Sequence, residues 1–161
     1  MSFEIPPLDV ASPTLDGIRQ ALRTHKISIE RDEKEFGCIV FCFGGVPCFF
    51  AIPPAQVYMP LDYSDDIALI DRAPFDDVFA AARSNVIAKL GPPSMEGIHA
   101  YSHRPPTHYY RYAVWALKHS RLALAQDEYD IQFGLDLSLR FIYRPGPIET
   151  RIYELGSPAP K

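Results

Sequence analysis

The chain has 161 residues, a net charge of −4 and an apolar fraction of 47%, which are typical of one globular domain. Its 16 lysine and arginine residues are scattered along the chain, which disfavours a nucleic-acid-binding protein. No apolar run reaches about 18 residues, and the first residues lack the pattern of a signal peptide. We therefore expect a cytoplasmic protein with no membrane or nucleic-acid partner.

The first part of the chain predicts an extended arm followed by one helix and three strands. Residues 1–11 form the arm, and residues 12–52 form the first α-β-β-β half. Ser12 and Pro13 open the helix, since serine favours the N-cap and proline the first helical position. Apolar patterns predict strands at 27–33, 38–43 and 48–52, with a Gly44-Gly45 turn between the last two.

Three cysteines lie in this first half. Cys38, Cys42 and Cys48 are expected to be reduced and without disulfides, because an odd number of them lies within one apolar stretch. Cys38 and Cys42 share a strand face and are expected to be inert. Cys48 follows Pro47 and is expected to be the more exposed of the three.

Residues 53–73 predict an irregular acidic connection with at most one short strand. Residues 74–144 then predict a second α-β-β-β half, in which the helix ends at Gly91. Residues 130–143 alternate between apolar and polar side chains, which predicts one face on a core and one in water. The other two strands are expected at 108–117 and 121–127, and residues 145–161 are expected to form a loose tail.

The order of elements predicts an α+β fold in a single domain. Two α-β-β-β halves would form an antiparallel sheet with both helices packed on one face. Residues 15–24 and 75–84 share a pattern of apolar, Asp, any residue, Ile or Val, and later Ala and Arg. This pattern is consistent either with a duplication or with two amphipathic helices that meet the same requirements.

The stretch GIHAYSHRPPTHYYRYAVW, residues 97–115, combines histidine, tyrosine and a proline pair. His99, His103 and His108 have side chains that bind zinc, but glycine and prolines in the stretch argue against the helix that would align them. We therefore interpret the stretch as a loop and expect no metal and no cofactor. Its tyrosines and Arg104 are residue types enriched in protein interfaces.

Six aspartates lie between residues 62 and 77. Asp76 and Asp77 fall in the first turn of the second helix, where carboxylates complement the helix dipole. Asp65 and Asp66 have no such explanation. They predict a solvated acidic loop, a negative patch for a basic partner, or a carboxylate pair that binds a divalent cation or performs acid–base chemistry. The predicted partner-binding surface comprises Asp62, Tyr63, Asp65, Asp66, Tyr101, His103, Arg104, His108, Tyr109 and Tyr110.

A helix ending in KLGPPS (89–94), a variable loop, a strand carrying Trp115 and the segment RLALAQDEYDIQFGLDLSL (121–139) follow one another. This arrangement resembles small bacterial immunity proteins encoded beside polymorphic or type VI secreted toxins. The resemblance implies a cytosolic protein that binds one toxin and blocks it, with no catalytic residues to carry over. A non-enzymatic inhibitor of a cognate toxin is therefore the leading hypothesis.

Two alternatives remain open. One is a metal-dependent hydrolase that uses His99, His103 and His108 with nearby carboxylates. The other is a small-ligand-binding domain with a pocket between helix and sheet. Its predicted lining residues are Phe41, Phe43, Phe50 and Trp115. The sequence contains no nucleophile elbow and no phosphate-binding glycine loop, so we expect no enzymatic activity.

Overall fold

The computed structural model of the chain describes residues 2–53, 55–65, 71–100, 109–130 and 134–143. Within them lie two helices and eight strands, and all strands pair antiparallel in one sheet of order β1-β2-β3-β4-β8-β7-β6-β5. The predicted α+β class and antiparallel sheet are therefore confirmed. The elements are α1 (Leu15–Thr24), β1 (Ile29–Glu33), β2 (Cys38–Phe43), β3 (Val46–Ala51), β4 (Gln56–Ser64), α2 (Ala73–Leu90), β5 (Met95–Ala100), β6 (Tyr109–Ala116), β7 (Arg121–Asp130) and β8 (Gly134–Ile142).

Each helix is followed by four strands, so the predicted α-β-β-β halves are not confirmed. The additional strands are β4 and β5. β4 occupies much of the connection predicted to be irregular, and its pairing with β8 shifts register between Pro60 and Asp62. Proline within a strand occurs at such bulges, and the shift breaks the alternation that would have indicated a strand.

β5 was missed for a different reason. It forms an outer strand and pairs with β6 alone, through partners such as His99 and Tyr110. Only one edge of such a strand is paired, so its sequence carries a weak apolar pattern. The expectation that the histidine stretch begins as a loop is wrong for residues 97–100.

Both helices pack on one face of the sheet, as expected. Ile18 and Leu22 of α1 and Phe79 and Val86 of α2 belong to the same core cluster as alternate residues of the central strands. α1 is also tied to β1 by Arg19, whose guanidinium donates to both carboxylate oxygens of Asp32. A bidentate arginine–carboxylate pair fixes orientation as well as distance.

The N-terminal arm packs against the end of the chain that the structure describes. Phe3 and Leu8 are buried in the main cluster, and the Tyr143 hydroxyl donates to the Leu8 carbonyl at 2.6 Å. The Asp9 carboxylate accepts from the backbone N–H groups of residues 118 and 119 and from the Ser120 hydroxyl. The arm is therefore part of the core despite having no regular secondary structure.

β8 is buried on both faces. Leu135, Leu137 and Leu139 point to the helices, whereas Asp136 and Ser138 lie on the opposite face and are also buried. The expectation that this second face lies in water is wrong. Alternation alone does not distinguish a solvated polar face from one whose polar groups bind each other.

Cys48 is fully buried, contrary to the expectation that it is the most exposed thiol. Burial raises the pKa of Cys48 to about 12, and thiolate is the nucleophilic form of cysteine. The Cys48 thiol is therefore unreactive near neutral pH. In the described ranges, neither helix combines the length and the apolar composition needed to cross a membrane.

A substitution at Gly134 tests how closely β4 and β8 approach each other. It has φ +108°, and a Cβ there would lie 2.5 Å from both the Ser64 carbonyl oxygen and the Tyr63 hydroxyl. Gly134→Ala should therefore lower the free energy of unfolding by about 3 kcal/mol, from backbone strain and overlap together. Urea denaturation measures the change.

Gly44→Ala is the matched control for this variant. Gly44 also has positive φ, +57°, but nothing lies within 4 Å of its added Cβ. It should cost about 1 kcal/mol, the penalty of the left-handed backbone alone. Equal losses at Gly134 and Gly44 would mean that the close approach of β4 to β8 is absent.

Candidate binding site at one end of the sheet

The acidic stretch, residues 62–77, and the histidine stretch, residues 97–115, leave the sheet at the same end. β4 ends at Ser64, which is paired with Leu135 at the start of β8, and β6 begins at Tyr109. Because neighbouring strands are antiparallel, both positions lie at the end where β8 begins. Three strand spacings separate β4 from β6, a distance of about 14 Å.

The start of α2 lies at this end as well, since the Arg72 guanidinium donates to the Tyr109 carbonyl at 2.8 Å. We call this region the acidic end of the sheet, comprising residues 62–65, 71–77 and 109–111. It contains five aspartates, which lie on or next to β4 and α2, together with the start of β6. The topology therefore brings the acidic stretch and the histidine stretch towards one surface.

The residues predicted at the end of β4 are available to a partner. Tyr63 is 56% exposed, Asp65 is exposed and Asp62 is half-buried. Neither aspartate forms an ion pair with any residue in the described ranges. Five predicted surface residues lie outside those ranges: Asp66, Tyr101, His103, Arg104 and His108.

The two tyrosines at the start of β6 are placed differently from the prediction. The Arg72 guanidinium stacks 3.8 Å from the centre of the half-buried Tyr109 ring, a cation–π contact within the molecule. Tyr110 is only 1% exposed and belongs to the main core cluster. A side chain enclosed to that degree offers no area to a partner, so the prediction of Tyr110 as a surface residue is wrong.

A polar network fastens the start of α2 to the sheet. Asp76 accepts hydrogen bonds from Arg72 and from the amide of the buried Gln126, and the Arg111 guanidinium lies 3.3 Å away. Burial alone would raise the pKa of Asp76, but these three partners lower it below its usual value. Asp76 is thus neutralised within the molecule. Its neighbour Asp77 is exposed and pairs with no cation in the described chain.

A second polar cluster lies on the sheet face opposite the helices. The Tyr58 hydroxyl donates to Asp136 at 2.8 Å, and Arg140 donates to the Ser138 hydroxyl at 2.8 Å and to Asp136 at 3.4 Å. Asp127, paired directly with Asp136 across β7 and β8, lies 3.9 Å from Arg140. Three strands therefore contribute to one buried charge cluster.

Sequence reasoning missed this cluster although a signal was present. Asp136, Ser138 and Arg140 alternate along one strand, so they share a face, and the first and last have opposite charges. The pattern was interpreted as a solvated face. Mutually paired residues in a covered sheet produce the same pattern.

Asp136 is the most constrained group in this cluster. It is 3% exposed, and its Oδ1 has no hydrogen-bond partner among the described residues. Burial raises the pKa of this carboxyl above its usual value, although Arg140 and Tyr58 both act to lower it. A carboxyl with a raised pKa is a feature of acid–base sites, but it also occurs in structural networks.

The residues of the two alternative hypotheses are not assembled into sites in the described ranges. No group of three potential metal ligands occurs there, and His103 and His108 fall outside them. Phe41, Phe50 and Trp115 fill the main core, where Trp115 donates its indole N–H to the Gly91 carbonyl at 2.9 Å. The fourth predicted lining residue, Phe43, is half-buried and packs against the same cluster, so all four residues belong to the core or its margin.

The raised pKa of Asp136 predicts a specific pH dependence of stability. A carboxyl whose pKa is higher in the folded state makes its full contribution to stability below its unfolded pKa, near 3.8. That contribution is lost as pH rises towards the folded pKa. Asp136→Asn cannot ionise. The free energy of unfolding of the variant relative to wild type should therefore increase as pH is raised from about 3.8.

Urea denaturation at several pH values measures this difference. Asp65→Asn makes the same substitution at an exposed position and is the control for the loss of one carboxylate. The prediction is wrong if the free energy of unfolding of Asp136→Asn, relative to wild type, stays constant or falls as pH rises. Either result is incompatible with a destabilising buried charge at Asp136.

Comparison with known proteins found no matching family model, no matching curated protein and no matching solved structure.

Proposed function

We propose that the chain is a non-enzymatic immunity or inhibitor protein that binds a cognate protein toxin through the acidic end of the sheet. One observation carries this proposal. The exposed Tyr63 and two carboxylates without ion pairs in the described chain, Asp62 and Asp65, lie at the end where both stretches leave the sheet. Tyr63 is on the face of its strand partner Asp136 and Asp62 is on the face of Leu137, so a partner contacts both around the end of the sheet.

The residue types support binding of a basic protein surface. Tyrosine combines a large apolar ring with a polar tip and loses little side-chain entropy when it is immobilised. Carboxylates that are not neutralised within the molecule attract a positively charged partner and accelerate its association. Proteins that act on nucleic acids or nucleotides expose basic clefts, and such a toxin would complement this surface.

Tyr63 is held on a rigid element, which also supports the proposal. Its ring packs against Gly134, where even a Cβ would lie within 2.7 Å of the ring carbon that bears the hydroxyl. At Tyr63 the strand is paired with Asp136 of the central strand β8, whereas its pairing with β3 ends at Tyr58. A side chain that is ordered before binding loses less entropy in the complex.

The alternatives have weaker support. A metal-dependent hydrolase would need His103 and His108, which lie outside the described residues, together with His99 on β5. A small-ligand site would need aromatic residues that instead fill the core. The hydrolase remains the alternative, and metal analysis of protein purified without chelator tests it directly.

Charge reversal at the acidic end tests the proposal. The partner is first captured from the source cells, identified by mass spectrometry and produced in pure form. The double variant Asp62→Lys and Asp65→Lys should then slow association with it about tenfold at low salt, and the difference should shrink as salt is added. Stopped-flow or surface-based kinetics measure the rates.

Glu35→Lys is the control for electrostatics. Glu35 is exposed in the turn between β1 and β2, at the opposite end of the sheet. If reversal at Glu35 slows association as much, per unit of charge, as reversal at Asp62 and Asp65, only net charge matters and the acidic end is not the binding surface.

Tyr63→Ala should weaken the affinity for the same partner by about 30-fold, because a central aromatic side chain contributes a large share of binding energy. Phe36→Ala removes a comparable exposed ring, 78% exposed, from the opposite end and should leave affinity unchanged. Isothermal titration calorimetry measures both. An unchanged affinity in Tyr63→Ala would exclude Tyr63 from the interface.

A further inference from the structure

The two edges of the sheet are protected to different degrees. β1, at one edge, carries four consecutive charged residues at positions 30–33, and charged side chains disfavour further strand pairing. β5, at the other edge, carries one charged residue, Glu96. That carboxylate is held by Arg83 of α2 through two hydrogen bonds of 2.6 and 2.9 Å.

β5 also exposes apolar side chains. Ile98 is 61% exposed and Met95 is 38% exposed. α2 packs over β6 and β7, so β5 projects beyond the helix and leaves a groove of about 590 Å³ between them. Ile98, Phe79 and Asp77 are among the residues that line this groove.

From this arrangement we infer that β5 is a docking edge for an extended segment of another protein, which adds a ninth strand to the sheet. An apolar side chain of that segment covers Ile98, and a lysine or arginine on the same face meets Asp77. This inference goes beyond the proposed function, because it rests on the backbone and side chains of β5 and on the groove beside α2. It shares Asp77 with the acidic end but does not depend on Asp62, Tyr63 or Asp65.

The backbone of β5 supports strand addition. In an antiparallel pair, alternate residues direct both N–H and C=O to one neighbour, and the remaining residues direct theirs to the other side. β6 is the sole strand paired with β5 in the described sheet. Alternate backbone groups of β5 therefore face outward, where an added strand binds them.

Charge distinguishes the class of occupant. The groove's other charged residues are already paired: Glu96 with Arg83, and Asp76 with Arg111. Asp77 is the lining residue whose charge lacks an ion pair in the described chain. A second copy pairing through its own β5, MEGIHA, would supply no lysine or arginine. A basic segment from a different protein therefore complements this edge better than self-association does.

A defined peptide tests the inference with the full-length chain. The blocked peptide Thr-Val-Thr-Lys-Thr-Val-Thr places valine and lysine on one strand face, and a second peptide replaces its lysine with glutamate. Titration of ¹⁵N-labelled protein should shift the amide signals of β5 and Asp77. The lysine peptide should bind about threefold more tightly than the glutamate peptide, the size expected for one exposed ion pair.

Two variants and one control complete the experiment. Ile98→Lys should abolish the shifts at β5, and Asp77→Asn should remove the preference for the lysine peptide. Phe36→Lys makes a similar exposed apolar-to-lysine change at the turn after β1 and should leave peptide binding intact. Because Ile98 and Phe36 are both exposed, neither change removes a core side chain.

Three outcomes would overturn the inference. The first is no shift at β5 with either peptide at millimolar concentration, and the second is shifts centred on β1. The third is a dimer in sedimentation that Ile98→Lys dissociates, since a second copy would then occupy the edge. The peptide assay measures binding at β5, whereas the variants of Asp62, Asp65 and Tyr63 measure binding of the partner at the acidic end. Failure of one proposal is therefore distinguishable from failure of the other.

Discussion

The burial of β8 on both faces is the constraint on which the sheet depends. Its leucines pack beneath the helices, and its polar residues must bind one another because water does not reach them. Tyr58 from β4 and Asp127 from β7 complete the cluster around Asp136 and Arg140. A shift of one residue in either neighbouring strand would place charges against the leucine face, so the cluster fixes the register of three strands.

The pairing of β4 with β8 also creates the candidate binding surface. Four strands precede α2 and four follow it, and the last strand of each group lies at the middle of the sheet. This arrangement places the chain leaving β4 and the chain entering β6 about 14 Å apart at one end. Surface chemistry from distant parts of the sequence is thus collected by the topology rather than by any local motif.

Local signals predicted much of the local structure, although α1 is capped by Thr14, whose hydroxyl accepts from the Gly17 N–H, and not by the predicted Ser12. The end of α2 at Gly91, the Gly44-Gly45 turn between β2 and β3, and the apolar inner strands were all predicted. Each of these features depends on neighbouring residues alone. β4 and β5 were missed, one because of its bulge and the other because it is an edge. The exposed Tyr63 was predicted at the surface, whereas Tyr110 was not distinguished from it, since burial depends on elements that pack from elsewhere.

The N-terminal arm has a consequence for synthesis. Leu8 binds Tyr143, which lies 135 residues further along the chain, and Asp9 binds residues 118–120. The arm is synthesised before these elements, so its binding surface exists only after β6, β7 and the residue that follows β8 have been made. Leu8 and Asp9 therefore remain without these partners until the later strands have been made, although the partners of Phe3 on α2, Asn85 and Lys89, are synthesised earlier.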